Sequence, residues 1–130
     1  VQARRWHALI ARTLESLPTP DAEAVAAHWL HADPDRDSAR AIPWLIDAGL
    51  RAIARRARQE GAVFLQAALD RADRDPLATT PETLAALVDD LARVYRRLAD
   101  YQRAVQLNMR ARDLAAARGD TRGRAMAERR

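Results

Sequence analysis

The stretch TPETLAALVDDLARVYRRLADYQRAVQLNMRARDLAAARG, residues 80–119, decides the fold. Thr80 offers a side-chain oxygen as an N-cap, Pro81 fits the first helical position, and Glu82 puts negative charge in the first turn. Leu84, Leu87, Val88, Leu91, Val94, Tyr95 and Leu98 then recur by threes and fours, the period of an amphipathic helix. Asp100-Tyr101 opens a second helix, expected to reach Arg118 and stop at Gly119 as a C-cap glycine. Asp120 or Thr121 is then expected to start another. Two amphipathic helices joined by a short turn hide their apolar stripes by packing together.

The same period runs upstream. A first helix is expected over about Ala3–Leu17, with Trp6, Leu9, Ile10, Leu14 and Leu17 on its apolar stripe and Pro18 and Pro20 ending it. Asp21 caps a second, which carries Val25, Ala26, Trp29 and Leu30. Asp37 or Ser38 caps a third that reaches about Ala57, and a fourth spans about Gln59–Arg74. Small residues Gly49 and Gly61 lie 43 positions before Ala92 and Ala104, at sites where a larger Cβ substituent would hold two helix axes apart. The hairpin therefore repeats. One domain over residues 1–130 is expected: a leading helical pair (1–36), a first repeat (37–75), a second (80–119), and the start of a third (120–130).

Composition excludes more than it assigns. Alanine and arginine, both strong helix formers, dominate; lysine is absent, so all 22 basic residues are arginines. Against 18 acids they leave a net charge of +4, too little to argue for nucleic acid. The absence of cysteine favours a reducing compartment, and no apolar run is long enough for a membrane span. The expected localisation is cytoplasmic. The chain opens on Val1 and ends on Arg129-Arg130 in mid-pattern, which reads as a fragment of something longer.

The segment Leu98-Ala99-Asp100-Tyr101-Gln102-Arg103-Ala104-Val105, followed by Ala111, Leu114, Ala117 and Arg118-Gly119-Asp120, resembles a tetratricopeptide repeat of the long-helix type. His28-Trp29-Leu30, Asp33-Pro34, Ala41-Ile42-Pro43-Trp44-Leu45 and Ala48-Gly49 resemble the start of the repeat region in bacterial STAND ATPases, which include LuxR-like transcriptional regulators. The resemblance implies an all-α, right-handed α-solenoid of about 6–7 helices. It also implies a non-catalytic protein-interaction scaffold, the sensor or relay segment of a larger regulator. Asn108 stands where that family carries a large apolar residue, and Gly61 where it carries alanine. A phosphate-loop ATPase is excluded within the chain, which has no lysine to place in a Walker loop.

Other constellations give weaker signals. Asp33, Asp35 and Asp37 alternate as a calcium loop begins, but its sixth and twelfth positions hold Ser38 and Trp44. His28 and His31 are one turn apart without a third ligand nearby in sequence. Neither Ser16 nor Ser38 sits in a glycine elbow. No catalytic residue, metal or cofactor is expected. Trp6, Trp29 and Trp44 are expected to anchor the leading helices to the first repeat. The arginine clusters Arg55, Arg56, Arg58 and Arg93, Arg96, Arg97 are interleaved with acids and lack stacking aromatics, which argues against nucleic acid. On the fifth helix, Asp89, Arg93, Arg96 and Arg97 lie opposite the apolar stripe, a face suited to an acidic peptide or a neighbouring domain of the parent chain. The matching face of the third helix is apolar: Ile46, Leu50 and Ile53 are expected either under the first two helices or as a docking patch. Self-association through an uncovered terminal hairpin is the alternative, and phosphate or nucleic-acid binding a further one.

Overall fold

A computed structural model describes the backbone of residues 2–128 and the side chains of residues 2–119. Among these residues there are six α-helices and no strand: α1 (Gln2–Glu15), α2 (Ala22–His31), α3 (Ser38–Ala54), α4 (Arg58–Arg74), α5 (Pro81–Arg97) and α6 (Tyr101–Glu128). A single 3-10 turn, Pro76–Ala78, lies between α4 and α5. Each helix packs on its chain neighbour, and α2 also touches α4. The core is one continuous cluster, from Ala11 through Trp29, Leu45, Leu65, Leu87 and Leu91 to Leu107. Fully burying each of its larger side chains contributes about 1.5–3 kcal/mol.

The helix starts follow their caps. Asp21 accepts from the amides of Glu23 (3.1 Å) and Ala24 (3.4 Å), and the Thr80 hydroxyl accepts from the Thr83 amide at 3.1 Å. Asp37 occupies the N-cap position of α3 differently: its backbone is left-handed (φ 60°) and its side chain makes no capping bond.

The repeat is geometric as well as compositional. α3 and α5 each have 17 residues, and their starts, their ends and the starts of the helices that follow are all 43 positions apart. The turns match bond for bond. Arg56 and Ala99 are both left-handed (φ 68° and 61°). The Ala57 amide donates to the Ala52 carbonyl at 2.8 Å, and the Asp100 amide to that of Tyr95 at 2.9 Å. The amides of Arg56 and Ala99 donate to the carbonyls of Ile53 (2.9 Å) and Arg96 (3.1 Å). These are two Schellman closures, built without the usual glycine.

Three sequence expectations need correction. Gly119 does not end α6, which continues to Glu128; its φ is not positive, and an isolated glycine only weakens a helix. The helix expected from Asp120 or Thr121 is thus a continuation of α6, with side chains outside the described residues. The expected α1 stripe holds only in part, with Ile10 and Leu14 half-buried and Leu17 exposed. Ala11 is fully buried and Leu14 packs on the core, whereas Trp6 and Leu9 are 57% and 64% exposed. The small Ala11 lets α1 seat on α2, which turns Trp6 and Leu9 outward. Trp6 consequently anchors nothing in the core, while Trp29 is buried and Trp44 packs against the cluster.

The small residues in the α3–α4 contact are required. A Cβ on Gly49 would stand 2.7 Å from the Leu65 side chain and 3.2 Å from the Gly61 carbonyl oxygen. One on Gly61 would stand 2.6 Å from Ile53 and 3.0 Å from the Gly49 carbonyl oxygen. Gly61→Ala is therefore expected to destabilise: overpacking costs about 1–3 kcal/mol, against roughly 1 kcal/mol of gained helix propensity. Gly119→Ala, with nothing within 4 Å of the new Cβ, carries only the propensity gain and should protect α6 amides. Urea melts for the first and amide exchange for the second check the opposite signs.

Candidate functional site

The turn between α2 and α3 holds the three aspartates whose spacing resembled a calcium loop, and the structure supplies their cations from the chain itself. Asp33 faces Arg36 at 3.9 Å, Asp35 faces Arg74 at 3.3 Å, and Asp37 binds Arg12 at 2.7 Å. Behind them lies Arg71, 3% exposed. Its guanidinium donates to the Arg36 carbonyl (2.9 Å), the Ser38 hydroxyl (3.3 Å) and the Trp29 carbonyl (3.1 Å), and sits 5.8 Å from the Trp29 ring centroid. Burial pushes the Arg71 pKa down, while Asp33 and Asp37 pull it back up. A guanidinium stays charged at neutral pH under such a shift. No sequence spacing announces this residue, because its partners are main-chain oxygens far along the chain.

The residues expected to meet a partner are on the surface. Asp89, Arg93, Arg96 and Arg97 are exposed along α5. Arg93 binds Asp90 at 2.6 Å, while Arg96 and Arg97 form no ion pair among the described residues. Asp89 leans toward α6 and lines a shallow cleft of about 430 Å³ with Asn108, Arg112 and Arg118, which the sequence reading had not grouped with it. Ile46, Leu50 and Ile53 stand 43 positions before Asp89, Arg93 and Arg96, so the two groups occupy equivalent faces of α3 and α5. Ile46 and Ile53 pack partly on the core and Leu50 is exposed. Of the other arginine cluster, Arg55 is tied to Glu23 and Glu60 at 3.1 and 2.7 Å.

All three histidines of the chain converge, His7 of α1 joining His28 and His31 of α2. The Nδ1 atoms of His7 and His28 are 3.0 Å apart, and His7 and His31 have ring centroids 5.2 Å apart. Among the described residues no group of three or more His, Cys, Asp or Glu side chains is arranged to hold a metal ion. No described helix is long and apolar enough to cross a membrane. Comparison with known proteins gives no matching family profile, no matching curated protein and no matching solved structure.

Two predictions follow from these contacts. Arg71→Met strips charged hydrogen bonds from the buried Trp29 carbonyl and the half-buried Arg36 carbonyl and is expected to cost about 3 kcal/mol. Arg71→Lys should not restore it, since an ammonium cannot span the fork of acceptors; denaturant midpoints decide. For His7, burial first, then repulsion from His28 and His31, lowers the pKa below 6.5. The unfolded chain therefore binds more protons just below that value, and stability falls as pH drops through it. The urea midpoint should fall more on acidification from about pH 7 to about pH 5 in the native chain than in His7→Gln.

Proposed function

We propose that this chain is a non-catalytic scaffold for protein recognition, built as a tetratricopeptide-like right-handed α-solenoid. The observation that carries the reading is the 43-residue register, in which helix starts, Schellman turns and the α3 and α5 faces recur together. In hairpin stacks of this kind, equivalent faces of successive first helices form one continuous binding surface. Here that surface passes from apolar (Ile46, Leu50, Ile53) to basic (Arg93, Arg96, Arg97). An extended acidic segment with apolar residues at one end matches it, its carboxylates pairing with the guanidiniums. The resemblance to STAND regulators supports a cytoplasmic sensor or relay segment of a larger bacterial signal-transduction ATPase or transcriptional regulator. Any ATPase or cyclase chemistry would then lie outside these residues.

Self-association is the second reading, and one observation favours it. Tyr101, Val105 and Met109 form an exposed apolar stripe on α6, at positions equivalent to Arg58, Ala62 and Gln66 of α4. In α4 this side faces α5, and Tyr95 donates to Gln66 Oε1 at 2.7 Å. A helix from a second copy would cover the same side of α6.

Arg93→Glu combined with Arg97→Glu should weaken capture of an acidic peptide at least tenfold while leaving the unfolding free energy within about 1 kcal/mol of the parent, since both side chains are exposed. Unchanged binding overturns the scaffold reading of this face. Light scattering on the same samples separates the second reading: a mass that rises with concentration supports self-association.

A further inference from the structure

A cavity of about 400 Å³ opens between α1 and the end of α2, at the lower end of the size range of small-molecule pockets. Its walls divide by chemistry. Ala8 and Leu9 of α1, with Ala32 and Trp29, give it an apolar part. Arg4, Arg5, Arg12 and Arg36 contribute positive charge against only two acids, Asp33 and Asp37. Those two acids are already engaged, Asp37 by Arg12 at 2.7 Å and Asp33 by Arg36 at 3.9 Å. Arg4 and Arg5 have no ion pair among the described residues. Two uncompensated guanidiniums thus border an apolar hollow.

A second observation is independent of charge. Trp29 is 1% exposed, and its Nε1–H has no acceptor among the described residues. Buried indole N–H groups usually find a partner, and leaving one without costs about 1–3 kcal/mol. The residue with this unused donor forms part of the cavity wall.

We propose that this cavity binds an amphiphilic anion, a carboxylate or phosphate carried on a short apolar body. The anionic head pairs with Arg4 and Arg5, whose planar forks suit either group bidentately. The body replaces water against Leu9, Ala8 and Ala32. An acceptor oxygen near the head satisfies the Trp29 indole once the ring shifts slightly toward the ligand. The site is separate from the α5 surface and stands or falls independently of it.

The test is a titration of the full chain, following the Trp29 indole N–H by NMR, with the resonance assigned using Trp6→Phe and Trp44→Phe. The probes are octanoate, octyl phosphate, octanol and inorganic phosphate. Octanoate or octyl phosphate should shift the Trp29 resonance saturably, and whichever binds tighter assigns the head group. Octanol and inorganic phosphate should bind at least tenfold more weakly, each lacking half of the recognition. Arg4→Gln combined with Arg5→Gln should weaken the anionic probes at least tenfold, while Arg93→Gln leaves them unchanged. The proposal is overturned if neither anionic probe moves the resonance, if octanol binds as well as octanoate, or if the Arg4/Arg5 double variant binds like the parent.

Discussion

The structure depends on one buried cation. Arg71 projects from α4 and gathers main-chain carbonyls from the end of α2 and from the α2–α3 turn, together with the first hydroxyl of α3. A guanidinium out of water is expensive, and it is tolerated only where its donors are used and counter-charge is near. The Trp29 carbonyl belongs to the last turn of α2, the negative end of that helix, and three aspartates ring the site from the solvent side. A turn carrying three acids would otherwise repel itself. Arg12, Arg36 and Arg74 neutralise its outer edge and Arg71 its inner one. The leading hairpin and the first repeat are joined through this charge cluster as much as through their apolar contact.

The two repeats share their turns more faithfully than their surfaces. A left-handed backbone at a non-glycine residue costs roughly 1–2 kcal/mol, yet Arg56 and Ala99 both adopt it. The paired closing hydrogen bonds and the need for the following helix to fold back offset that strain. Side chains of the second helix have diverged by contrast. Leu65 and Leu69 are buried in α4, whereas their counterparts Asn108 and Arg112 are exposed in α6. Asn108 borders the open cleft between α5 and α6 together with Ala85 and Asp89, where its counterpart Leu65 packs against Gly49 of α3.

This contrast explains what the sequence could and could not tell. Start signals are local: Thr80-Pro81 and Asp21 placed the beginnings of α5 and α2 because a cap acts within three residues. Gly49 and Gly61 were legible because close approach admits few alternatives. Ends were harder. Neither Arg56 nor Ala99 has the glycine that marks a left-handed turn, and Gly119 has the mark without the turn. The orientation of α1 was legible only in part because its stripe of large residues competes with a stripe of alanines, and helix contact distance decided for Ala11. Arg71 was invisible for a different reason: its partners lie 33 to 42 positions away, and two of the three are main-chain atoms that any residue type could supply.

The same cation bears on the cavity beside α1. Two of its wall residues, Trp29 and Arg36, are those whose carbonyls Arg71 holds, so the backbone on that side is held in place while the side chains can adjust. The opposite wall is α1, which packs mainly on α2 and is also joined to Asp37 and to α3 by the ion pairs Arg12–Asp37 and Arg40–Glu15. The partly exposed Arg12–Asp37 pair contributes at most about 1 kcal/mol, whereas the Glu15 side chain is only 9% exposed. The width of the cavity is thus set by how firmly α1 sits on α2. The contact that governs that seating includes the His7–His28 pair, whose Nδ1 atoms stand 3.0 Å apart.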